Sequence, residues 1–249
     1  MSAPTNAPWL LILGANSDIA IATAHKYAQA GYNLYLASRN LEELNKFAAD
    51  IQLRYGVQAS ALAFDARNFN SHANFYAQLA QKPGGVIVAF GAMHEQVEAQ
   101  KNFFLAAETM ESNYIGAVSI LEIIAADFEL RSSGFIIGIS SVAGDRGRQS
   151  NYIYGSSKAA FSAYLAGLRH RLSKKNVTVL TVKPGFVTTK MTAHLDLPKA
   201  LTANPMEVAK AIYLAVEKNK SVIYVKPVWR FIMLIITHVP SFIFNKTKL

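Results

Sequence analysis

Seven short apolar runs alternate with segments long enough to form helices, and no other feature of this sequence restricts the fold as strongly. Glycine, asparagine or aspartate bounds the runs, and the segments between them, clearest at residues 18–30, 41–54 and 69–79, suit crossover helices. Continuous apolar strands of this kind are typical of a parallel sheet that is covered on both faces. The pattern predicts a doubly wound α/β fold, with strands at residues 9–13, 33–37, 58–64, 86–90, 135–140, 177–182 and 222–225.

The 249 residues contain no linker, low-complexity run or internal repeat beyond the strand and helix period, so we expect a single domain. Because the chain has no cysteine, disulfide frameworks, thiolate zinc sites and catalytic thiols are excluded. The six histidines show no ligand-like spacing, and we predict no metal site. The first residues lack the basic flank and the cleavage site of a signal peptide, which predicts a cytoplasmic protein.

The net charge of +9 is concentrated in the last third of the sequence. Residues 1–168 carry 11 basic and 13 acidic side chains, a net charge of −2, whereas residues 169–249 carry 14 and 3, a net charge of +11. This asymmetry suggests an anionic partner: a nucleic acid, an acidic membrane surface or a phosphorylated substrate. We expect no nucleic-acid partner, because the basic third contains no recognised nucleic-acid module.

The segment after Val225 is both apolar and basic. Its uninterrupted apolar run, residues 231–236, is far shorter than the ~20 residues that a membrane-spanning helix needs. At helical spacing five apolar side chains share one face: Trp229, Ile232, Ile235, Ile236 and Val239. Four basic residues are placed around this face: Lys226, Arg230, Lys246 and Lys248. The pattern predicts an amphipathic helix, which either lies at a membrane surface or packs on the domain, over the substrate cleft or in a subunit interface.

The junction between the first strand and the first helix is suited to a dinucleotide. In a Rossmann-like fold the pyrophosphate rests there on free backbone N–H groups and on the positive end of the helix. Gly14 permits the tight turn, but Asp18 and Ala20 occupy the positions of the later glycines in a GxxxGxG pattern. The Asp18 carboxylate repels a phosphate unless it points away. A capped turn without a ligand is the alternative, and the predicted cofactor contacts are Gly14, Asn16, Ser17, Asp18 and Ile19.

The second strand ends in Ser38 and Arg39, where NAD-binding proteins of this fold place an acidic residue against the ribose 2′-hydroxyl. A hydroxyl and a guanidinium can instead bind a 2′-phosphate, so we expect NADPH rather than NADH. A solvated turn residue is the alternative for Arg39. Asp65, next to Ala66 at the end of the third strand, either accepts a hydrogen bond from the adenine or caps the following turn.

Tyr154 and Lys158 are four residues apart in YGSSK, so a helix places both side chains on one face. An ammonium group beside a phenol lowers the pKa of the phenol, which supports proton transfer near neutral pH. Ser141 ends the fifth strand at the edge where such sheets bind ligands, and its hydroxyl can polarise a carbonyl. Asn113, in the helical stretch ESNYIGA, is a buried-amide candidate that can hold a water against Lys158.

Four motifs in this order, ESNYIG, ISSVAG, YGSSK and KPGFVTT, make residues 9–191 resemble the single-domain short-chain dehydrogenase/reductases. The resemblance implies that Tyr154 is the general acid and that Lys158 lowers its pKa and binds the nicotinamide ribose. It implies Ser141 as hydrogen-bond donor to the carbonyl and Asn113 as water relay. It also implies further cofactor contacts. Phe90 and Gly91 are two of them and lie where the family usually has an NNAG motif, and along the nicotinamide the contacts are Pro184, Gly185, Val187 and Thr189.

The same resemblance implies the organisation of the chain. Residues 1–225 are expected to form a dinucleotide-binding domain, and residues 226–249 a helical extension of that domain. The helical stretches at residues 105–131 and 152–172 are expected to pair with those of a second copy in a homo-oligomer.

Further stretches, including VAFGAM, KPGFVTTKMTAHL and the tail WRFIMLIITHVPSFIFNK, resemble the reductase subunits of decaprenylphosphoryl-ribose 2′-epimerases. That resemblance implies reduction of a 2-keto-pentofuranose attached through phosphate to a polyprenyl lipid, beside a flavin oxidase partner at the inner face of the membrane. Two alternatives are a reductase of another ketone, such as a 3-ketoacyl thioester, a steroid or a small ketone, and a non-catalytic dinucleotide sensor. The complete catalytic set speaks against the sensor. Candidate phosphate contacts are Arg146, Arg148, Lys190 and His194.

Overall fold

The computed structural model describes residues 7–193 and 196–247. Within these residues nine strands follow one another: β1 (Trp9–Leu13), β2 (Asn33–Ser38), β3 (Ala59–Ala63), β4 (Gly85–Val88), β5 (Gly134–Ile139), β6 (Val177–Pro184), β7 (Phe186–Val187), β8 (Thr202–Ala203) and β9 (Val222–Val225). Seven of them form one parallel sheet in the order β3, β2, β1, β4, β5, β6, β9, and β7 pairs separately with β8. The predicted seven-stranded parallel sheet is confirmed.

The chain changes direction across the sheet at β1. This strand pairs with β2 on one side, Trp9 opposite Asn33, and with β4 on the other, Leu10 opposite Gly85. In an open parallel sheet the crevice at such a switch point, at the carboxyl ends of the strands, is where ligands bind. β1 and β9 have the predicted bounds, whereas the ends of the other five strands differ by one or two residues, as at β4, where pairing stops at Val88 and Ala89 and Phe90 line the crevice.

Helices cover both faces of the sheet, which explains the continuous apolar strands. The helices are α1 (Asp18–Gln29), α2 (Leu41–Tyr55), α3 (His72–Ala77), α4 (Gln96–Ala99), α5 (Phe103–Met110), α6 (Gly116–Arg131), α7 (Tyr152–Leu172), α8 (Pro205–Glu217), α9 (Val228–His238) and α10 (Ser241–Phe244). Leu10 and Ile12 of β1 pack in the core with α1, α2 and α8, whereas Leu11 and Leu13 pack with α3, α6 and α7.

Two predicted helices differ in detail. The segment predicted as one helix at residues 69–79 is a 3-10 turn, Phe69–Ser71, followed by the short α3. The stretch around Asn113 contains one π-helical turn, Glu111–Ile115, between α5 and α6. Single π-helical turns inside longer helices are frequent at functional sites, because they re-aim the side chains that they carry.

The amphipathic C-terminal helix is present as α9, but its predicted face is partly wrong. Trp229 and Met233 are the buried residues, with Ile232 and Ile236 packed beside them, whereas Ile235 is 67% exposed. The buried face contacts Val142, so α9 packs on the domain. Lys248 lies outside the described residues. Within the part of the chain that the structure describes, no helix is both long enough and apolar enough to span a membrane.

Candidate active site

Two adjoining cavities form a crevice at the carboxyl edge of the sheet. The first, of about 290 Å³, reaches from the β1–α1 turn to Tyr154, Lys158 and the segment after β6. The second, of about 220 Å³, lies over the ends of β2 and β3. Six residues line both: Asn16, Ser17, Ala89, Phe90, Gly91 and Met191. Among the described residues no cluster of three or more histidine and acidic side chains is arranged to hold a metal ion.

Ser141 and Tyr154 meet in the first cavity. Ser141 follows β5 in an extended conformation, and its Oγ accepts a hydrogen bond of 3.1 Å from the backbone N–H of Ala143. Tyr154 lies in the first turn of α7, and its hydroxyl is close enough to the Ser141 side chain for that group to lower the pKa of the phenol. Two hydroxyl groups therefore meet in the same cavity, one in the first turn of α7 and one just after β5.

Lys158 is buried one turn along α7 from Tyr154. Its Nζ donates a 3.0 Å hydrogen bond to the carbonyl oxygen of Ile139 and lies 5.7 Å from the centre of the Tyr154 ring. Burial lowers the pKa of Lys158 from 10.5 to about 8, because desolvation disfavours the ammonium. The side chain still carries its charge for most of the time at neutral pH.

The pKa of Tyr154 differs from the sequence-based expectation. Burial raises it to about 12, and the hydrogen bond to Ser141 opposes this shift. The pKa is therefore raised and not lowered as expected, because desolvation of the phenolate is the largest effect in this site. A phenol in this state keeps its proton at neutral pH, which is the form that a proton donor needs.

Asn113 lies in the π-helical turn, and its side chain is almost fully buried. Its Oδ1 accepts a hydrogen bond from the backbone N–H of Ala92 at 2.7 Å, and its Nδ2 donates to the Ala92 carbonyl at 2.9 Å and to Ser157 Oγ at 2.8 Å. The amide thus joins the segment after β4 to α7 beside Lys158. This contact makes Asn113 a positioning residue, and its role as a water relay stays a prediction.

The β1–α1 turn has the shape that a pyrophosphate requires. Gly14 has φ +84, and a Cβ atom at this position would lie only 2.4 Å from the backbone N of Phe90. Ser17 caps α1, its Oγ accepting a hydrogen bond from Ala20 N at 3.2 Å. Asn16 Oδ1 is buried and has no hydrogen-bond partner among the described residues. An unsatisfied buried oxygen next to a helix N-terminus fits a site that is completed by a polar ligand.

Asp18 points away from the turn, toward the segment that follows β7. Its carboxylate accepts a 2.7 Å hydrogen bond from the backbone N–H of Lys190. Lys190 Nζ in turn lies 3.6 Å from the carboxylate of Glu43 on α2. These contacts connect residues 190–192 to the start of α1 and to α2. Met191 consequently lies between the two cavities and lines both. The sequence analysis missed Met191, and an aspartate at a glycine position of the turn was the only signal for the contact to Lys190.

The second cavity is lined by Ser38, Arg39, Asp65 and Ala66, as predicted for the adenosine end. The Arg39 side chain is exposed at the end of β2. Asp65 Oδ1 accepts a hydrogen bond from the backbone N–H of Arg67 at 3.0 Å, which is the capping contact considered as one alternative. The cavity therefore presents a hydroxyl and a cation where a 2′-phosphate is expected.

The part of the first cavity that is predicted to hold the nicotinamide is backed by α9. Ile19, Pro184, Gly185, Val187 and Thr189 line the first cavity. A Cβ atom on Gly185 would lie 2.0 Å from the Trp229 ring, so only glycine permits this packing. The indole N–H of Trp229 donates a 3.0 Å hydrogen bond to the Leu201 carbonyl. Trp229 thus supports the predicted nicotinamide segment from behind, a role that its place in the tail did not suggest.

The candidate phosphate contacts have different environments. The Arg146 guanidinium donates hydrogen bonds to the carbonyl oxygens of Ile236, Thr237 and Val239 and lies 4.0 Å from the centre of the Phe244 ring. It caps the carboxyl end of α9, and its assignment to a substrate phosphate stays a prediction. Burial lowers the pKa of Arg148, whose Nε has no hydrogen-bond partner within the described residues. Lys190 lines the first cavity, and His194 lies outside the described residues.

Comparisons with known proteins agree with this geometry. The family model for short chain dehydrogenases matches residues 8–199. An uncharacterized oxidoreductase of Mycobacterium tuberculosis is 30% identical over 245 residues, which cover 97% of this chain and 98% of the relative. An uncharacterized oxidoreductase of Streptomyces coelicolor is 31% identical over 240 residues, which cover 95% and 94%.

The fold agrees as well. A short-chain dehydrogenase from Sphingobium yanoikuyae, solved in complex with NADPH, superposes with a TM-score of 0.79 at 22% identity, covering 94% of this chain and 97% of the other. The matched family model extends from the β1–α1 turn through Ser141, Tyr154 and Lys158 to Thr189. The chain belongs to the short-chain dehydrogenase/reductase family and is an NAD(P)-dependent oxidoreductase acting on CH–OH and C=O groups.

Proposed function

We propose that this protein is an NADPH-dependent carbonyl reductase in which Tyr154 is the proton donor. The observation that carries the proposal is the convergence of the Tyr154 and Ser141 hydroxyls in the first cavity, with Lys158 buried beside them. A protein that only senses a dinucleotide has no use for a proton donor aimed into its cavity. Catalysis is therefore favoured over the sensor alternative.

The residues along the crevice fit NADPH. Ser38 and Arg39 would hold the 2′-phosphate, the turn from Gly14 to Ile19 the pyrophosphate, and the segment from Pro184 to Thr189 the nicotinamide. When bound, the reduced nicotinamide supplies a hydride to the carbonyl carbon of the substrate. The NADPH complex of the similar Sphingobium dehydrogenase supports this choice of cofactor.

The protein's own groups then manage the oxygen of the substrate. The Ser141 hydroxyl donates a hydrogen bond to the carbonyl oxygen, and Tyr154 transfers its proton to that oxygen as negative charge develops. The ammonium of Lys158 stabilises the phenolate that is left, since opposite charges a few ångströms apart in a buried site attract strongly. Asn113 keeps Ala92 and Ser157 in place around Lys158 and is proposed to relay the replacement proton through water.

The proposed substrate is a polyprenyl-phosphate-linked 2-keto-pentofuranose. The resemblance of the tail and of KPGFVTTKMTAHL to the epimerase reductase subunits supports it, as does the basic last third of the chain. Because the lipid holds this substrate in a bilayer, we place the protein at the cytoplasmic face of the membrane. We also propose that it works there as a homo-oligomer beside a flavin oxidase. The apolar lining of the first cavity by Ile139, Val187 and Met191 favours a second candidate, an apolar ketone such as a 3-ketoacyl thioester or a steroid.

The experiment is a substrate comparison with the purified protein, following the loss of NADPH absorbance. The lipid-linked keto-sugar, generated in place by a flavin oxidase, is compared with 3-ketoacyl thioesters, steroids and small ketones. A kcat/KM for the keto-sugar at least tenfold above that for the other ketones supports the assignment. A higher kcat/KM for another ketone would replace the substrate and keep the reductase, whereas no NADPH oxidation with any of them would contradict both.

A further inference from the structure

The two C-terminal helices expose apolar side chains that the crevice does not use. Phe231, Leu234 and Ile235 of α9 are 65%, 58% and 67% exposed, and Phe242 and Ile243 of α10 are 70% and 47% exposed. We call these five residues the C-terminal surface. Single exposed apolar residues are ordinary, but a group of five large ones in two consecutive helices is typical of an interaction surface.

The exposed side chains of α9 belong to a helix whose other face is firmly packed. The opposite face of α9 is buried through Trp229 and Met233, and Arg146 binds three carbonyl oxygens at the helix end. Because that face is committed to the domain, Phe231, Leu234 and Ile235 cannot turn inward without breaking these contacts. A helix that is apolar on both sides is normally covered on both sides, so a partner is expected over the outer one.

The charge around this surface is of one sign. Residues 218–247 contain no acidic side chain and five basic ones, which are Lys218, Lys220, Lys226, Arg230 and Lys246. Arg230 and Lys246 are exposed, Arg230 directly before Phe231 and Lys246 three residues after Ile243. Two copies of the chain joined through this surface would bring like charges together. An anionic lipid headgroup, by contrast, attracts each lysine or arginine near it.

We propose that the C-terminal surface docks on a bilayer that contains anionic lipids. The apolar side chains enter the boundary between headgroups and acyl chains, and Arg230 and Lys246 bind the headgroup phosphates. The same helix packs behind Gly185 and against Val142, next to Ser141, so docking brings the catalytic crevice close to the lipid. The role of presenting a lipid-linked ketone rests on the proposed function, whereas lipid binding itself does not.

The test is co-sedimentation of the full chain with vesicles, without substrate or NADPH. Binding is expected with vesicles of phosphatidylcholine and phosphatidylglycerol, and it should be weaker with phosphatidylcholine alone or at high salt. The double variant Phe231→Ser/Ile235→Ser should lower the partition coefficient by about tenfold per side chain. Arg230→Gln/Lys246→Gln should lower it by about fivefold per residue and should abolish the preference for phosphatidylglycerol.

Leu53→Ser is the matched control, since Leu53 is 87% exposed on α2, and its partition coefficient should equal that of the unmodified protein. Wild-type protein that does not sediment with phosphatidylglycerol vesicles would overturn the proposal, as would a Phe231→Ser/Ile235→Ser variant that binds like wild type. A smaller mass of that variant in light scattering would identify a subunit interface instead. Reduction of a small ketone without lipid reports separately on the proposed function: a protein that binds vesicles but reduces nothing retains the docking surface and loses the reductase assignment.

Discussion

The two halves of the crevice are built in different ways. In the catalytic half, Tyr154 and Lys158 are fixed on α7, and Ser141 follows β5, so regular elements set the geometry. In the pyrophosphate half, the structure depends on contacts between distant segments, such as the Asp18 carboxylate with Lys190 N–H. Groups on rigid elements are preorganised for reaction, whereas single side-chain contacts mainly adjust affinity. We therefore expect substitutions in the catalytic half to alter kcat and substitutions in the pyrophosphate half to alter cofactor binding.

The largest effect is expected for Tyr154→Phe. Turnover should fall at least ~10²-fold, the lower end for loss of a general acid, while the NADPH dissociation constant measured by fluorescence titration stays the same. Tyr152→Phe is the matched control, because the Tyr152 hydroxyl contacts Gln100, just after α4, instead of the cavity. Equal turnover of the Tyr154→Phe variant and the wild type would remove Tyr154 from its role.

Arg39→Ala tests the cofactor choice at the other end of the crevice. Loss of a charge-assisted hydrogen bond to the 2′-phosphate should raise the KM for NADPH by about 10- to 100-fold, leaving the KM for NADH unchanged. Arg54→Ala serves as control, since Arg54 is exposed on α2 and pairs with Asp50. An unchanged ratio of the two KM values would leave Arg39 as a solvated turn residue.

Lys158→Met should abolish efficient turnover and yet stabilise the protein. The folded-state pKa of about 8 lies below the ordinary 10.5, so the unfolded chain binds more protons between these values and stability rises with pH across that window. A shift of this size is worth roughly 3 kcal/mol, and the lost bond to the Ile139 carbonyl costs about 1 kcal/mol. The variant should gain about 2 kcal/mol at neutral pH in chemical denaturation.

Above a pH of about 10.5 the lysine is neutral in both states, so this gain should be lost and the variant should be about 1 kcal/mol less stable than wild type because it lacks the bond to the Ile139 carbonyl. A variant less stable than wild type at neutral pH would show that Lys158 is not held at an energetic cost in the folded protein.

The smallest effect is expected for Asp18. Asp18→Asn retains an acceptor for Lys190 N–H and removes the charge, whereas Asp18→Ala removes both. If the hydrogen bond organises the pyrophosphate half, Asp18→Ala should bind NADPH about fivefold more weakly than Asp18→Asn, as expected for about 1 kcal/mol. Equal dissociation constants for the two variants would show that the contact has no influence on the cofactor.

The sheet and the catalytic residues could be predicted because their signals are local. Each strand is one apolar run, and Tyr154 and Lys158 lie within a single helical turn of sequence. In the sheet only the ends of some strands moved, where hydrogen bonding and not hydrophobicity decides.

The contacts that were missed join residues far apart in sequence. Asp18 and Lys190 are separated by 172 positions, and Arg146 reaches carbonyl oxygens at least 90 residues away. A hydrogen bond between a side chain and a backbone group leaves no periodic trace, so spacing could not reveal either contact. The choice of Met233 over Ile235 for the buried face of α9 also depended on tertiary packing, because both are apolar and either suits a helical stripe.

The most direct test of the central claim is a structure of the protein with NADP⁺ and a ketone or ketone analogue bound. The measured quantities are the distances from the ketone oxygen to Tyr154 Oη and to Ser141 Oγ. The account predicts that both fall within hydrogen-bond reach, roughly 2.6–3.2 Å. An oxygen that contacts neither hydroxyl, with the ring of the cofactor facing another part of the cavity, would contradict it.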